Sequence, residues 1–116
     1  MKNNDLPKKD IPFEKFDSLD ILIGQIISFK NIPNKNLLSF KVDVKKTVLN
    51  IVSRKSFKID FKKIIGQKVV VLSNIKPFKI DGLSSDGIIL IAKDKKGKAS
   101  FIFPENQDVE IGSKIH

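Results

Sequence analysis

The chain has 116 residues, the size of one ordinary domain, with 41% hydrophobic and 30% charged residues, a globular balance that leaves no room for a second core. Lys and Arg number 22 against 13 Asp and Glu, a net charge of +9, and the lack of cysteine excludes disulfides, thiolate metal sites and thiol redox chemistry. Met1 to Asp10 is polar with no apolar signal-peptide core, and no later run reaches the ~18 apolar residues of a membrane span, so a soluble, cytoplasmic protein with no membrane partner is expected.

Residues 1–12 read as a polar tail and residues 13–116 as the folded domain. Phe13 and Phe16, spaced i, i+3, predict one helical turn that plugs an end of the core. Ile21 to Lys30 is an apolar run interrupted by Gly24, which predicts a strand that bends there or lets a neighbouring backbone approach. Asn31 to Asn34, with Pro33, reads as a turn into the clearest strand, Leu38 to Lys45, where Leu38, Phe40, Val42 and Val44 alternate with polar residues. Val48 to Ser53 gives a third strand. Asp60 to Gly66 follows as a short helix, with Phe61, Ile64 and Ile65 at i, i+3, i+4 between an Asp60 N-cap and a Gly66 stop. Lys68 to Asn74 is a fourth strand whose Val69, Val70, Val71 and Leu72 are too uniformly apolar for a half-exposed position, so it should be central. Gly87 to Ala92 and Ser100 to Phe103 supply two more strands across the polar turn Asp94 to Lys98. Five or six short strands with one helix between strands 3 and 4 is the order of an all-β OB-fold, a partly open Greek-key barrel that binds oligonucleotides.

The charge is uneven. It is net zero over residues 1–19 and 82–116, +3 over 20–50 and +6 over 51–81. A cationic field confined to one sector is the footprint of a polyanion binder, because each neutralised phosphate releases a counterion. Lys, Ile and Asn are also abundant in the way a low-GC genome produces, and such drift alone raises pI; the sector distribution favours the functional reading. Catalytic constellations are missing from the pattern. The sole histidine is the last residue, His116, no phosphate-binding glycine loop occurs, and the acids fall singly, so no enzyme activity, metal site or cofactor is expected.

The segment Asn74-Ile75-Lys76-Pro77-Phe78-Lys79-Ile80-Asp81-Gly82-Leu83-Ser84-Ser85-Asp86-Gly87-Ile88 resembles the signature stretch of the structure-specific tRNA-binding domain family. Phe16 to Gly24 is similar to that family's opening motif, Ile51-Val52-Ser53 to its Ile-Val-Ser-Gly, and Pro104 to Ile115 to its closing motif. The family comprises stand-alone dimeric tRNA-binding proteins, domains or β subunits of methionyl-tRNA synthetases, and synthetase cofactors. The resemblance therefore implies an OB-fold homodimer that recognises the shape of tRNA and helps a synthetase, methionyl-tRNA synthetase above all, retain it. It places Asn74, Lys76 and Lys79 toward the phosphate backbone, Ser84 and Ser85 as hydrogen-bond donors near it, and Gly87 as a position of close approach; lysines suit this because they contact phosphate without reading a base.

The departures matter as well. Leu22 and Gln25 replace family cations on the first strand, while Arg54 and Lys55 after Ser53 restore positive charge on the third. Asp86 and Ile88 stand where the family tends to have Gln or Lys and Met, and an acid beside a phosphate-facing serine repels RNA. All nine aromatics are Phe. Phe40, Phe101 and Phe103 fall on core positions, whereas Phe57 and Phe78 are freer, and Phe78 either stacks on a base or caps the barrel mouth. Two rival readings have the same fold: a CsaA-type chaperone binding unfolded polypeptides, and a module that dimerises a synthetase through Val109 to Ile115 with RNA contact secondary.

Overall fold

The computed structural model describes residues 6–55 and 60–116. Helix α1 (Phe13–Asp17) leads into β1 (Ile21–Ile32), and a 3-10 turn (Pro33–Lys35) connects it to β2 (Leu37–Asp43). Strand β3 (Val48–Arg54), helix α2 (Phe61–Ile64) and β4 (Lys68–Leu72) follow. The rest consists of short strands: β5 (Phe78–Ile80), β6 (Leu83–Ser85), β7 (Ile88–Ile89), β8 (Ile91–Lys93) and β9 (Ala99–Phe101). A five-stranded antiparallel sheet runs in the order β3-β2-β1-β4-β7, and β5–β6 and β8–β9 form separate hairpins.

Strand β1 holds the barrel together because it serves two partners. Its first half, Ile21 to Gln25, pairs with β4, and its second half, Gln25 to Ile32, pairs with β2. The register slips between Ile26 and Ser28, so Ile27 is an extra residue, 43% exposed, at a bulge that curves the strand. The bend therefore sits three residues beyond Gly24, where the sequence pointed. Gly24 instead gives room to side chains: a Cβ there would stand 2.6 Å from Val42 Cγ1 and 3.1 Å from Val71 Cγ2.

The alternation in β2 sorts its residues as expected. Leu38, Phe40 and Val42 are at most 1% exposed and pack with Ile26, Ile51, Val69 and Val71 in one core. Phe40 is its centre, with Phe101 edge-on at 6.3 Å and Phe29 tilted at 6.3 Å. Strand β4 is flanked by β1 and β7, so it is internal, as its uniform apolarity predicted.

Several expectations are corrected. Phe103 is 47% exposed and lies stacked on the outer side of Phe101, so alternation misplaces it; β9 ends at Phe101. Helix α1 buries no residue, and Phe13 and Phe16 are 67% and 36% exposed, so they plug no core among the described residues. In α2 the i, i+3 pattern buries Ile64, but Ile65 is 50% exposed because the helix stops at Ile64. The strand expected over residues 87–92 is divided at Leu90, whose N–H still bonds Val70 O.

Candidate nucleic-acid interface

The segment from Asn74 to Gly87 forms a hairpin that the strand pattern did not announce. Its turn is Asp81-Gly82, with φ of +47° and +85°, between the paired residues Ile80 and Leu83. Two consecutive left-handed residues make the two-residue hairpin turn whose twist matches the flanking strands, and Asp-Gly is a favoured pair for it. The signal was present in the sequence as Asp-Gly between two short alternating stretches.

The hairpin docks on β3 through side chains more than through a regular ladder. Asp86 N donates to Asn50 O (2.8 Å), and Asn50 N donates back to Asp86 Oδ2 (3.2 Å). Val52 N donates to Ser85 Oγ (2.9 Å), and that hydroxyl donates in turn to Gly87 O (2.9 Å). Ser85 is fully buried and its hydroxyl is used in both directions. This takes Ser85 out of the surface where the resemblance placed it. Asp86 likewise serves as an acceptor for a strand N–H, so its acidity has a structural use.

Pairing parity divides the hairpin into two faces. Phe78 is the cross-strand partner of buried Ser85, so both lie on one face of the hairpin, and Phe78 is half-buried. Lys79 and Ser84 are partners on the opposite face, and both are exposed. At the hairpin tip, Arg54 Nη1 lies 3.3 Å from Asp81 Oδ2, which sets the end of β3 beside the turn. Both side chains are largely exposed, so this pair contributes at most about 1 kcal/mol. Lys55 is exposed next to it, with its N–H bonded to Asn36 O (3.0 Å), and Ser53 is half-buried one residue inward. Lys55, Lys76 and Lys79 pair with no carboxylate among the described residues.

The structure thus brings together Lys79, Ser84, Arg54 and Lys55, and leaves Lys76 exposed on the approach to β5. Asn74 has a different use. Its Oδ1 accepts from Asp20 N (2.8 Å) and its Nδ2 donates to Ser18 O (2.8 Å), so it clamps the segment before β1 to the exit of β4. Gly87 does permit a close approach, but to the chain's own β4: a Cβ there would stand 2.9 Å from Leu72 O. Phe57 lies outside the described residues.

Two cations escaped the sequence reading. Ser28, Lys41 and Asn50 stand in one cross-strand row, and Lys30 and Ser39 are partners in the next; farther along the same face Val52 and Leu37, the partners of Ser39 and Arg54, are buried. Lys30 and Lys41 are exposed. The alternation that put Phe40 and Val42 inside already marked Lys41 as outward. Lys68, by contrast, is spent on structure, since its Nζ donates to Gln107 O and Val109 O, each at 2.7 Å. Among the described residues no cluster of three or more His, Cys, Asp or Glu side chains could hold a metal ion, and no helix is long and apolar enough to cross a membrane.

The fold is an antiparallel barrel of the OB class, with a lysine-bearing hairpin laid along its third strand. A family described as "Putative tRNA binding domain" matches residues 21–114, from the first residue of β1 nearly to the chain end, and the chain belongs to this tRNA-binding domain family. The methionine-tRNA ligase of Flavobacterium johnsoniae is 40% identical over 112 residues, 95% of this chain and 16% of that protein. The chain therefore spans about a sixth of the length of such relatives. Among solved structures, a MetRS related protein from Pyrococcus horikoshii superposes with a TM-score of 0.83 at 23% identity, over 94% of this chain and all of that one. The chaperone CsaA from Bacillus anthracis superposes with a TM-score of 0.81 at 21% identity, over 93% of this chain and all of that one. Both structures share the fold.

Proposed function

We propose that the chain is a non-catalytic tRNA-holding module of the cytoplasm that serves a methionine-tRNA ligase and acts as a homodimer, with residues 13–116 as the working domain and residues 1–12 as a tail. The observation that carries this reading is the outward row of the β5–β6 hairpin. Lys79 and Ser84 face solvent near the tip where Arg54 meets Asp81, with Lys55 next to Arg54 and Lys76 exposed on the approach to β5, while the apolar side of the same hairpin is turned inward. A surface of this kind attracts phosphates and offers little to an unfolded apolar polypeptide. Membership of the tRNA-binding family and the 40% identity to a methionine-tRNA ligase support the choice of RNA and of enzyme partner.

The exposed apolar side chains support the dimer. Phe13, Phe16 and Leu19 line a small cleft with Ile115 and are 67%, 36% and 36% exposed, a cluster that a second copy is suited to cover. The segment Val109 to Ile115 is engaged with its own chain, since Gly112 N and Ile115 N donate to Ile23 O and Ile21 O. The seam is accordingly centred on α1, Leu19 and Ile115. The deciding experiment is a titration with tRNA across salt concentrations, with log K against log salt expected to slope more steeply than about −3. A flat slope together with binding of an unfolded polypeptide overturns the reading in favour of a chaperone.

A further inference from the structure

At the Val48 end of β3, the far end of that strand from Arg54, the β2–β3 turn meets the start of β1, the exit of β4 and the C-terminal segment around a groove of about 430 Å³. That volume lies in the range of small-molecule sites. Val44, Leu22 and Leu49, buried or half-buried, supply its apolar lining, the exposed Lys45, Lys46 and Lys114 its cations, and Asp20, the ion-pair partner of Lys114, its one carboxylate, beside the polar Thr47, Ser73 and Asn74. None of Arg54, Lys55, Lys76 or Lys79 lines it.

The lysine cluster is built rather than incidental. Lys45 has a φ of +81°, a left-handed conformation that glycine adopts freely and lysine does not. It is held there by Asp43 Oδ1, which accepts from Lys45 N (2.8 Å), while Thr47 O accepts from Val44 N (3.0 Å) across the turn. The chain thus keeps a cation at a position whose backbone suits glycine. Lys45 and Lys114 lie 3.4 Å from Glu110 Oε2 and 3.5 Å from Asp20 Oδ1, in exposed pairs weak enough to exchange for a bound anion. Lys46 has no carboxylate partner among the described residues.

We propose that this groove binds a single nucleotide, with its base on Leu22, Val44 and Leu49 and its phosphate held by Lys46 together with Lys45 and Lys114. The two halves select this ligand class jointly. An apolar floor suits a flat ring and adds nothing to the binding of a free phosphate, while the lysines give an uncharged nucleoside nothing to pair with. The site goes beyond the tRNA reading and uses none of the hairpin's outward cations.

The test is a titration of the full chain, followed through its amide resonances, with AMP, adenosine and inorganic phosphate at matched ionic strength. AMP is expected to shift the amides of residues 44–47 and 112–114 and to bind at least about fivefold more tightly than either fragment. Lys46→Glu should weaken AMP at least about fivefold at an unchanged melting temperature, and Lys46→Arg should retain it. Binding of AMP no tighter than that of phosphate, shifts confined to the β5–β6 hairpin, or an inert Lys46→Glu overturns the proposal. A Lys76→Glu/Lys79→Glu chain should keep its AMP response, so failure here and failure of the tRNA reading are told apart.

Discussion

Reversing both lysines of the signature segment, Lys76→Glu with Lys79→Glu, isolates the electrostatic content of the hairpin. Both side chains are exposed and neither has a carboxylate partner among the described residues, so the folded state loses no ion pair when they change. If each contacts one phosphate, the salt slope should fall by about 0.9 per residue, close to two in all. At physiological salt each such contact is worth about fivefold relative to molar salt, and two together about thirtyfold. A loss of at least about tenfold is therefore expected before the repulsion of two new carboxylates is counted. The assay is tRNA binding by fluorescence anisotropy at several salt concentrations, with thermal melting and sedimentation run in parallel. A variant that binds tRNA within about threefold of the parent, or whose binding loss comes with a lowered melting temperature, refutes the placement of the interface.

Three further outcomes follow from the packing. Ser85→Ala leaves Val52 N–H buried without its acceptor and should cost about 1–3 kcal/mol in urea unfolding, with tRNA affinity of the folded protein unchanged. A direct RNA contact by Ser85 would give the reverse. Gly87→Ala pushes a Cβ to 2.9 Å from Leu72 O and should destabilise by roughly 1–3 kcal/mol, read in the same assay. Phe40→Ala empties the centre of the core between Phe29, Phe101 and Ile51 and should cost about 3–5 kcal/mol, seen as a lowered denaturant midpoint at constant slope.

The strands of the main sheet were legible because period two reports a single physical fact, that one face is dry. Leu38, Phe40 and Val42 satisfied that pattern, and the buried set matches it. Phe13 and Phe16 show the limit of the same logic. Their spacing establishes that one side of α1 is apolar, yet it does not say what covers that side, and among the described residues no residue of α1 is buried. Phe103 failed for a related reason, because alternation was continued past Phe101, where β9 ends. The β5–β6 hairpin was missed although Asp81-Gly82 advertised its turn, since strands of three residues carry too little periodicity to be seen.

In the candidate site, several polar residues have structural partners that the sequence did not announce, and the reason is chemical ambiguity. A serine hydroxyl, an asparagine amide and a carboxylate can each serve a ligand or stand in for a backbone partner, and residue type does not distinguish the two. Here Ser85, Asn74 and Asp86 all take the second course: they close the barrel against β3 and clamp the segment before β1. Lysine is less ambiguous, because its ammonium seldom replaces a strand partner; Lys68, bound to two carbonyls of the C-terminal segment, is the counter-example. Short polar side chains of the signature therefore hold the hairpin in place, and this fixed frame is what aims Lys79 and Ser84 outward beside Arg54. On that division of labour, substitutions of the first group should be felt as stability and those of the second as affinity.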